Sequence, residues 1–261
     1  MENLLNENLK LNLISEEGNV GTFEIEGLYR GYGLTVGNAL RRVLLSSLPG
    51  AAITSVKIKG VGHEFTTIPG VMEDVVEICL NLKKARFAFA GEEGASEVLV
   101  LKAKGEGAVT ASTIKDSANV QVISPDLHLF TISEKGTEVD MELTITRGLG
   151  YVPVESFKTV TLPVGVLQLD ALFSPVTKVN FTVENMRVGD KTDFNKVHLL
   201  IETDGGITPT AALKHALSIL TGHFSKVLEQ LDPLVTQVAF ATVAGSEEKK
   251  PKKKAAKKKS E

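Results

Sequence analysis

The chain has little with which to do covalent chemistry. Its single cysteine, Cys79, cannot form an internal disulfide, and no Cys/His cluster has zinc spacing. A reducing compartment follows as the default. No apolar run reaches the ~18 residues of a membrane span. The start, residues 1–10, is polar rather than signal-like, so a cytoplasmic protein with no membrane partner is expected. The histidines, His63, His128, His198, His215 and His223, are dispersed through different segments. His215 and His223 lie about two helical turns apart, too far to share a metal directly. Gly31-x-Gly33-x-x-x-Gly37 fits neither the dinucleotide fingerprint nor the P-loop and reads as a close-packing and turn segment. No Asp-x-Asp pair suggests a two-metal site, and Cys79 sits among apolar residues where a thiol behaves as a small hydrophobe. These absences predict no catalytic, cofactor-binding or metal-ligating residue in this chain.

What is present is a core and an uneven charge. At 261 residues and 43% apolar content the chain can bury one large domain or two modest ones. Its net charge of −3 conceals a split. From Ser246 onward eight lysines face three glutamates, a tail of +5, which against the total of −3 leaves the first 245 residues at −8. The body is acidic and the tail, residues 244–261, is Lys-rich, without an apolar residue larger than alanine, and reads as disordered.

Strands and helices are grouped, with no βαβ rhythm, which makes the fold class α+β. Short β-type runs in residues 9–26 lead through the glycine-spaced turn into a helical pattern that ends before Pro49-Gly50. Alternating runs then dominate to about Leu169: Val98 to Leu101, Val120 to Ile123, Leu127 to Ile132 and Val139 to Ile145. One helix interrupts them, with Val71, Val75, Val76, Ile78, Cys79 and Leu82 at helical spacing. Strand runs at Lys178 to Val183 and Val197 to Glu202 precede a long final helix.

The first and last helices carry most information. In residues 35–48 a 100° turn per residue sets Val36, Ala39, Leu40, Val43 and Leu44 in one arc, the core face. Arg41, Leu45 and Arg42 stand together on the other side. Arginine beside an exposed leucine suits a binding face, although an incidental exposed leucine also fits. The last helix opens with Thr208 as N-cap and Pro209 at its first position and stops at Asp232-Pro233. Leu213, Leu217, Leu220, Phe224, Val227 and Leu231 recur at 4-3-4-3-4, a heptad seam on a helix of roughly 35 Å. Packing on its own sheet and packing on a second subunit both satisfy such a seam, and its length favours the second.

Five ordered motifs resemble one family. They are the run from Gly31 to Gly50 (GYGLTVGNALRRVLLSSLPG), His63-Glu64-Phe65, Gly70-Val71-Met72-Glu73-Asp74 through Asn81-Leu82-Lys83, Arg147 to Pro153 (RGLGYVP), and Asp170 to Val176 (DALFSPV). In order and spacing they resemble the alpha subunits of bacterial DNA-directed RNA polymerase, from the N-terminus to about Leu231. The resemblance implies a discontinuous dimerisation domain at 1–48 and 170–235, an antiparallel sheet with two helices, and an inserted mainly-β domain at 49–169. It implies a homodimeric scaffold for the beta and beta-prime subunits. The active site, with its Mg and Zn, lies in those large subunits, so this chain needs no cofactor. By motif position, Arg41, Arg42 and Leu45 become the beta-binding face. Glu77 and Lys83, with Leu169, Val176 and Lys196, become contacts to the large subunits, the last three to beta-prime. Val36, Leu40, Leu44, Leu213, Leu217, Leu220, Phe224, Val227 and Leu231 become the dimer interface. Promoter DNA is a partner through the complex, within a bacterial cytoplasm and its nucleoid.

Family members usually continue into a small helical domain that binds upstream DNA, and here the lysine tail stands in that place. Lys252, Lys253, Lys254, Lys257, Lys258 and Lys259 either neutralise DNA phosphates weakly and without sequence preference or merely solubilise the chain. Deleting residues 246–261 distinguishes the two. Phosphate contact predicts that the assembled polymerase loses promoter-DNA affinity and that its salt dependence becomes shallower; unchanged affinity and slope leave only solubilisation.

Overall fold

In chain order the elements are β1 (Lys10–Glu17), β2 (Val20–Leu28), α1 (Tyr32–Ser46), β3 (Pro49–Ile58), α2 (Val75–Leu82), β4 (Phe87–Phe89), β5 (Ser96–Lys104), β6 (Gly107–Thr110), β7 (Val120–Val122), β8 (His128–Ile132), β9 (Glu138–Leu149), β10 (Tyr151–Val152), β11 (Val166–Gln168), β12 (Ala171–Leu172), β13 (Val176–Val188), β14 (Lys191–Thr203) and α3 (Pro209–Ala244). The computed structural model describes residues 9–92, 94–157, 163, 165–189 and 191–244. They belong to two units divided between Leu217 and Ser218. The first holds both main sheets; the second is the rest of α3.

The first sheet joins the two ends of the unit, in the antiparallel order β1-β2-β14-β13. Alternation fixes its faces. Phe23 and Ile25 on β2, and Val197, Leu199 and Ile201 on β14, are buried on one side. Glu24, Glu26, Lys196 and His198 stand on the other. α1 lies on the buried side against β13 and β14. Its buried residues are Gly33, Gly37, Leu40 and Leu44. A Cβ at Gly37 would stand 2.5 Å from the Phe181 ring and one at Gly33 2.6 Å from Val183, so helix and strand meet at backbone distance. This differs from the arc expected from spacing: the glycines join the core face, while Val36, Ala39 and Val43 are only half-buried.

The second sheet runs β5-β9-β3-β4-β7, with β11 added beside β3. Its core sets Ile53, Val56, Met141, Leu143 and Ile145 against Val75, Ile78 and Leu82 of α2 and against Phe130 and Ile132 of β8. Each large side chain fully buried there contributes about 1.5–3 kcal/mol. α2 begins at Val75 rather than Val71, because Asp74 caps it by accepting the Glu77 N–H at 2.7 Å. At the other end of the chain, the hairpin β13–β14 is longer than its apolar runs. α3 continues through Pro233 to Ala244, past the stop expected there. Proline deletes one helical hydrogen bond, but its fixed φ is helical.

The two sheets meet where the chain passes from α1 to β3 and from β12 to β13. The Ser174 hydroxyl donates to the Leu45 carbonyl at 3.1 Å, the Asp204 N–H to the Pro175 carbonyl at 2.9 Å, and Arg86 Nε lies 3.9 Å from Asp204 Oδ2. Gly50 passes so close to the backbone here that a Cβ would overlap the Phe173 carbonyl oxygen. Because backbone cannot rotate away as a side chain can, Gly50→Ala should lower the free energy of unfolding by about 3 kcal/mol, the upper part of the overpacking range. Urea denaturation measures this; a loss below about 0.5 kcal/mol would show that the junction yields.

Candidate functional site

Among the described residues, no three His, Cys, Asp or Glu side chains cluster as a metal site. Burial pushes the Cys79 thiol up to about 11, with Glu64 and Asp74 adding to the effect, so it is protonated and inert as a nucleophile. No helix among the described residues is long and apolar enough to cross a membrane. What the structure presents instead is a set of exposed faces.

The first lies on α1. Arg41 and Arg42 are exposed and, among the described residues, neither guanidinium has an acidic partner. Leu45, half-buried between them, is held by its carbonyl on Ser174. Two guanidinium groups thus lie beside a half-buried leucine on one side of the helix. Val36, Ala39 and Val43 occupy the flank between this face and the core. Leu40 and Leu44, expected at the dimer interface, are 1% and 0% exposed and pack on the chain's own sheet. The correction follows from the glycines, which draw the helix down until both leucines are enclosed.

The second lies on α3. Thr208 caps its start by accepting the Ala211 N–H at 3.3 Å. Glu16 of β1 accepts the Thr210 N–H at 3.2 Å and the Thr210 hydroxyl at 2.6 Å. Leu213, expected at the interface, is also a correction: with Ala212 and Ala216 it is buried in the first unit. Leu217 is exposed, and in the second unit Phe224, Val227, Leu228 and Leu231 are exposed and Leu220 is half-buried. The seam is therefore core for its first turn and open beyond it. Sequence reasoning missed an apolar strip on β1 of the first unit. Leu11 and Leu13 pair with Ile25 and Phe23, which puts them on the helix side of the sheet, yet both are more than half exposed. The alternation Leu9-Lys10-Leu11-Asn12-Leu13 carried that signal.

The third centres on α2. Phe65, Val76, Cys79, Leu80, Leu167 and Leu169 line a groove of about 260 Å³ with Lys83 and Asp170 at its rim. Phe65 is 81% exposed. The loop carrying it is anchored through Glu73, which accepts the Thr131 N–H at 2.6 Å and bonds the His128 ring at 3.0 Å. Burial works against that carboxylate, but these bonds and the Thr131 hydroxyl outweigh it and hold its pKa below 4.5. Phe65 and Leu80 had no sequence signal of exposure, since apolar residues default to the core.

The remaining residues expected to bind partners are placed as follows. Glu77 is exposed. Lys83 is bound to Asp170 at 2.9 Å, whose other oxygen accepts the Val154 N–H at 3.1 Å. Lys196 is held by Glu26 at 2.7 Å and Glu24 at 3.5 Å, beside His198, which bonds Glu24 at 3.0 Å. Leu169 and Val176 are corrections: at 7% and 4% exposure they face the core, because each lies where the chain crosses between sheets. The tail lysines from Lys252 to Lys259 lie outside the described residues.

The α+β fold with a β-rich segment between the two parts of the first sheet agrees with the comparisons. Residues 56–174 match the family model of the RNA polymerase Rpb3/RpoA insert domain. The DNA-directed RNA polymerase subunit alpha of Symbiobacterium thermophilum is 47% identical over 85% of this chain and 70% of its own length. Those of Alkaliphilus oremlandii and Desulforudis audaxviator are each 49% identical, over 84% and 90% of this chain and 68% and 73% of their own lengths. The chain belongs to the family of bacterial DNA-directed RNA polymerase alpha subunits.

The Lys83–Asp170 pair ties α2 to the strand crossing. The Lys83 ammonium, then the Val154 N–H, holds the Asp170 pKa below its ordinary 3.8. A depressed carboxylate stabilises the fold above the unfolded pKa and ceases to as pH falls through the folded one. Asp170→Asn should therefore be less stable than wild type above about pH 4, with the gap closing below it. Thermal melts from pH 2 to 7 read this, and a gap that persists at the acid end contradicts it.

Proposed function

We propose that this chain is a non-catalytic alpha subunit that dimerises and, as a dimer, assembles the beta and beta-prime subunits of a bacterial RNA polymerase for transcription. The observation that carries the reading is the pair of open faces on α1 and α3: free arginines around Leu45, and an apolar stripe of Leu217, Phe224, Val227, Leu228 and Leu231 that the chain leaves exposed. Stripes of this kind mark protein interfaces, and Arg with an apolar neighbour is an anchor composition.

On this reading, residues 1–48 and 170–235 form the dimerisation domain and 49–169 the inserted domain. Val36 and the exposed part of the α3 stripe, with Leu11 and Leu13, meet the second copy. Arg41, Arg42 and Leu45 take the beta subunit. Glu77, Lys83 and Lys196, joined by Phe65 and Leu80, take the large subunits on the insert and the outer sheet face. The chemistry and its metals belong to the large subunits, the setting is the cytoplasm, and promoter DNA is reached through the complex, with the lysine tail as a supplementary phosphate contact.

Two variants separate the faces. Arg42→Ala should remain a dimer in sedimentation but capture the purified beta subunit at least ~30-fold more weakly, the loss of an anchor of ~2 kcal/mol. Phe224→Glu should do the reverse, yielding a folded monomer by placing an unpaired charge in the interface. An Arg42→Ala chain that binds beta normally, or a Phe224→Glu chain that stays dimeric, refutes the corresponding assignment.

A further inference from the structure

We infer that Asn195 is the positioning residue for the beta-binding helix, acting as an N-cap delivered from across the sheet; the inference rests on the assignment of α1 above. α1 starts without a local cap. Gly31, with φ +84°, has no side chain to offer, and no acidic residue stands in the first turn. The N–H groups that open a helix need acceptors when water is excluded. Asn195 supplies one: its Oδ1 accepts the Gly31 N–H at 2.8 Å and the Gly33 N–H at 3.4 Å. Its Nδ2 donates to Asn185 Oδ1 at 3.2 Å, which fixes the orientation of the amide.

The placement argues for more than local repair. Asn195 is 7% exposed, one of only two polar residues buried to that degree among the described residues. Gly33 lies directly over it, where a Cβ would stand 3.0 Å from the Asn195 Cβ. The next residue, Lys196, points to the opposite face and is clamped by Glu24 and Glu26. β14 is thus held from both sides at the level of the cap. At its other end α1 is held by the Ser174 bond to Leu45. Two fixed points define the helix axis. Arg41 and Arg42 stand about 15 Å from the Asn195 end, so releasing that end reorients both guanidinium groups together.

The test uses the full chain and purified beta subunit. Asn195→Ala, which removes the acceptor, should weaken beta capture about tenfold, within the range a lost helix cap produces. Asn195→Asp keeps an acceptor and adds a charge that a helix N-terminus favours, so it should recover capture to within about threefold of wild type. Aspartate keeps the shape of asparagine as well as its acceptor, so Asn195→Leu separates the roles: packing alone predicts that leucine, of similar volume, restores capture, whereas the cap predicts that it stays as weak as alanine, and capture by Asn195→Leu within threefold of wild type overturns the inference. Asn195→Ala capture within twofold of wild type overturns the inference, as does failure of aspartate to rescue. Arg42→Ala in parallel separates the two claims: if it loses capture while Asn195→Ala keeps it, the face assignment stands and the positioning role falls. Hydrogen exchange on the wild type decides the case if the alanine variant does not fold. The Gly31 amide should be as protected as those of the third turn of α1, and free exchange at Gly31 overturns the cap.

Discussion

The pairing of β2 with β14 is the constraint on which the rest of the chain depends. Gly31 and Asn195, one on each side of it, lie 164 residues apart in sequence. Between them, everything from β3 to β12 is a loop closed by this one sheet. Closing it is costly in entropy, though the cost grows only with the logarithm of length, which is why a whole second sheet can be accommodated inside it. Once closed, the sheet provides the floor for α1, the acceptor for its first turn, and, through Glu16 on β1, the acceptor for the first turn of α3. The side chain that caps α1 comes from a strand, and α3 starts from a strand together with its own neighbour Thr208.

This explains how charge is distributed. Cross-strand pairs fill the outward faces: Lys57–Glu142, Lys102–Asp140 and Lys104–Glu138 on the second sheet, Lys196 with Glu24 and Glu26, and Lys178–Glu202 on the first. Exposed pairs contribute little stability. Their effect is to satisfy these charges where they stand. Arg41 and Arg42 on α1 are exposed and have no acidic partner among the described residues. On the proposed reading, these two guanidinium groups on an acidic body of −8 are kept for the beta subunit.

How far the sequence could be read follows the range of each interaction. Helices α1, α2 and α3 were legible because their apolar spacing is local, and so were most strands of the insert. The α1 and α2 boundaries depended on caps. Asp74, adjacent to α2, was within reach of sequence reasoning; Asn195, brought to α1 only by the sheet, was not. The arc of α1 was misjudged by one position because glycine has no hydropathy to contribute, although Gly33 and Gly37 are what bring the helix to the strand. Leu40, Leu44, Leu169 and Val176 were expected at interfaces and are buried instead. Motif position identifies a neighbourhood but cannot say which way a side chain turns.

The remaining distinction is between core and interface along a single helix. The α3 seam has one spacing throughout, yet Leu213 is 3% exposed and Phe224 68%. Spacing cannot separate them, because a sheet beneath the helix and a helix beside it accept the same heptad. The chain itself separates them: Pro209 fits against Gly21 of β2 and Ala212 and Ala216 are fully buried, whereas Phe224, Val227, Leu228 and Leu231 are exposed. Helical propensity alone holds a segment of this kind only marginally in water. In the proposed dimer, therefore, the same side chains that recognise the second copy also stabilise the helix that carries them, and folding of the second unit is linked to assembly.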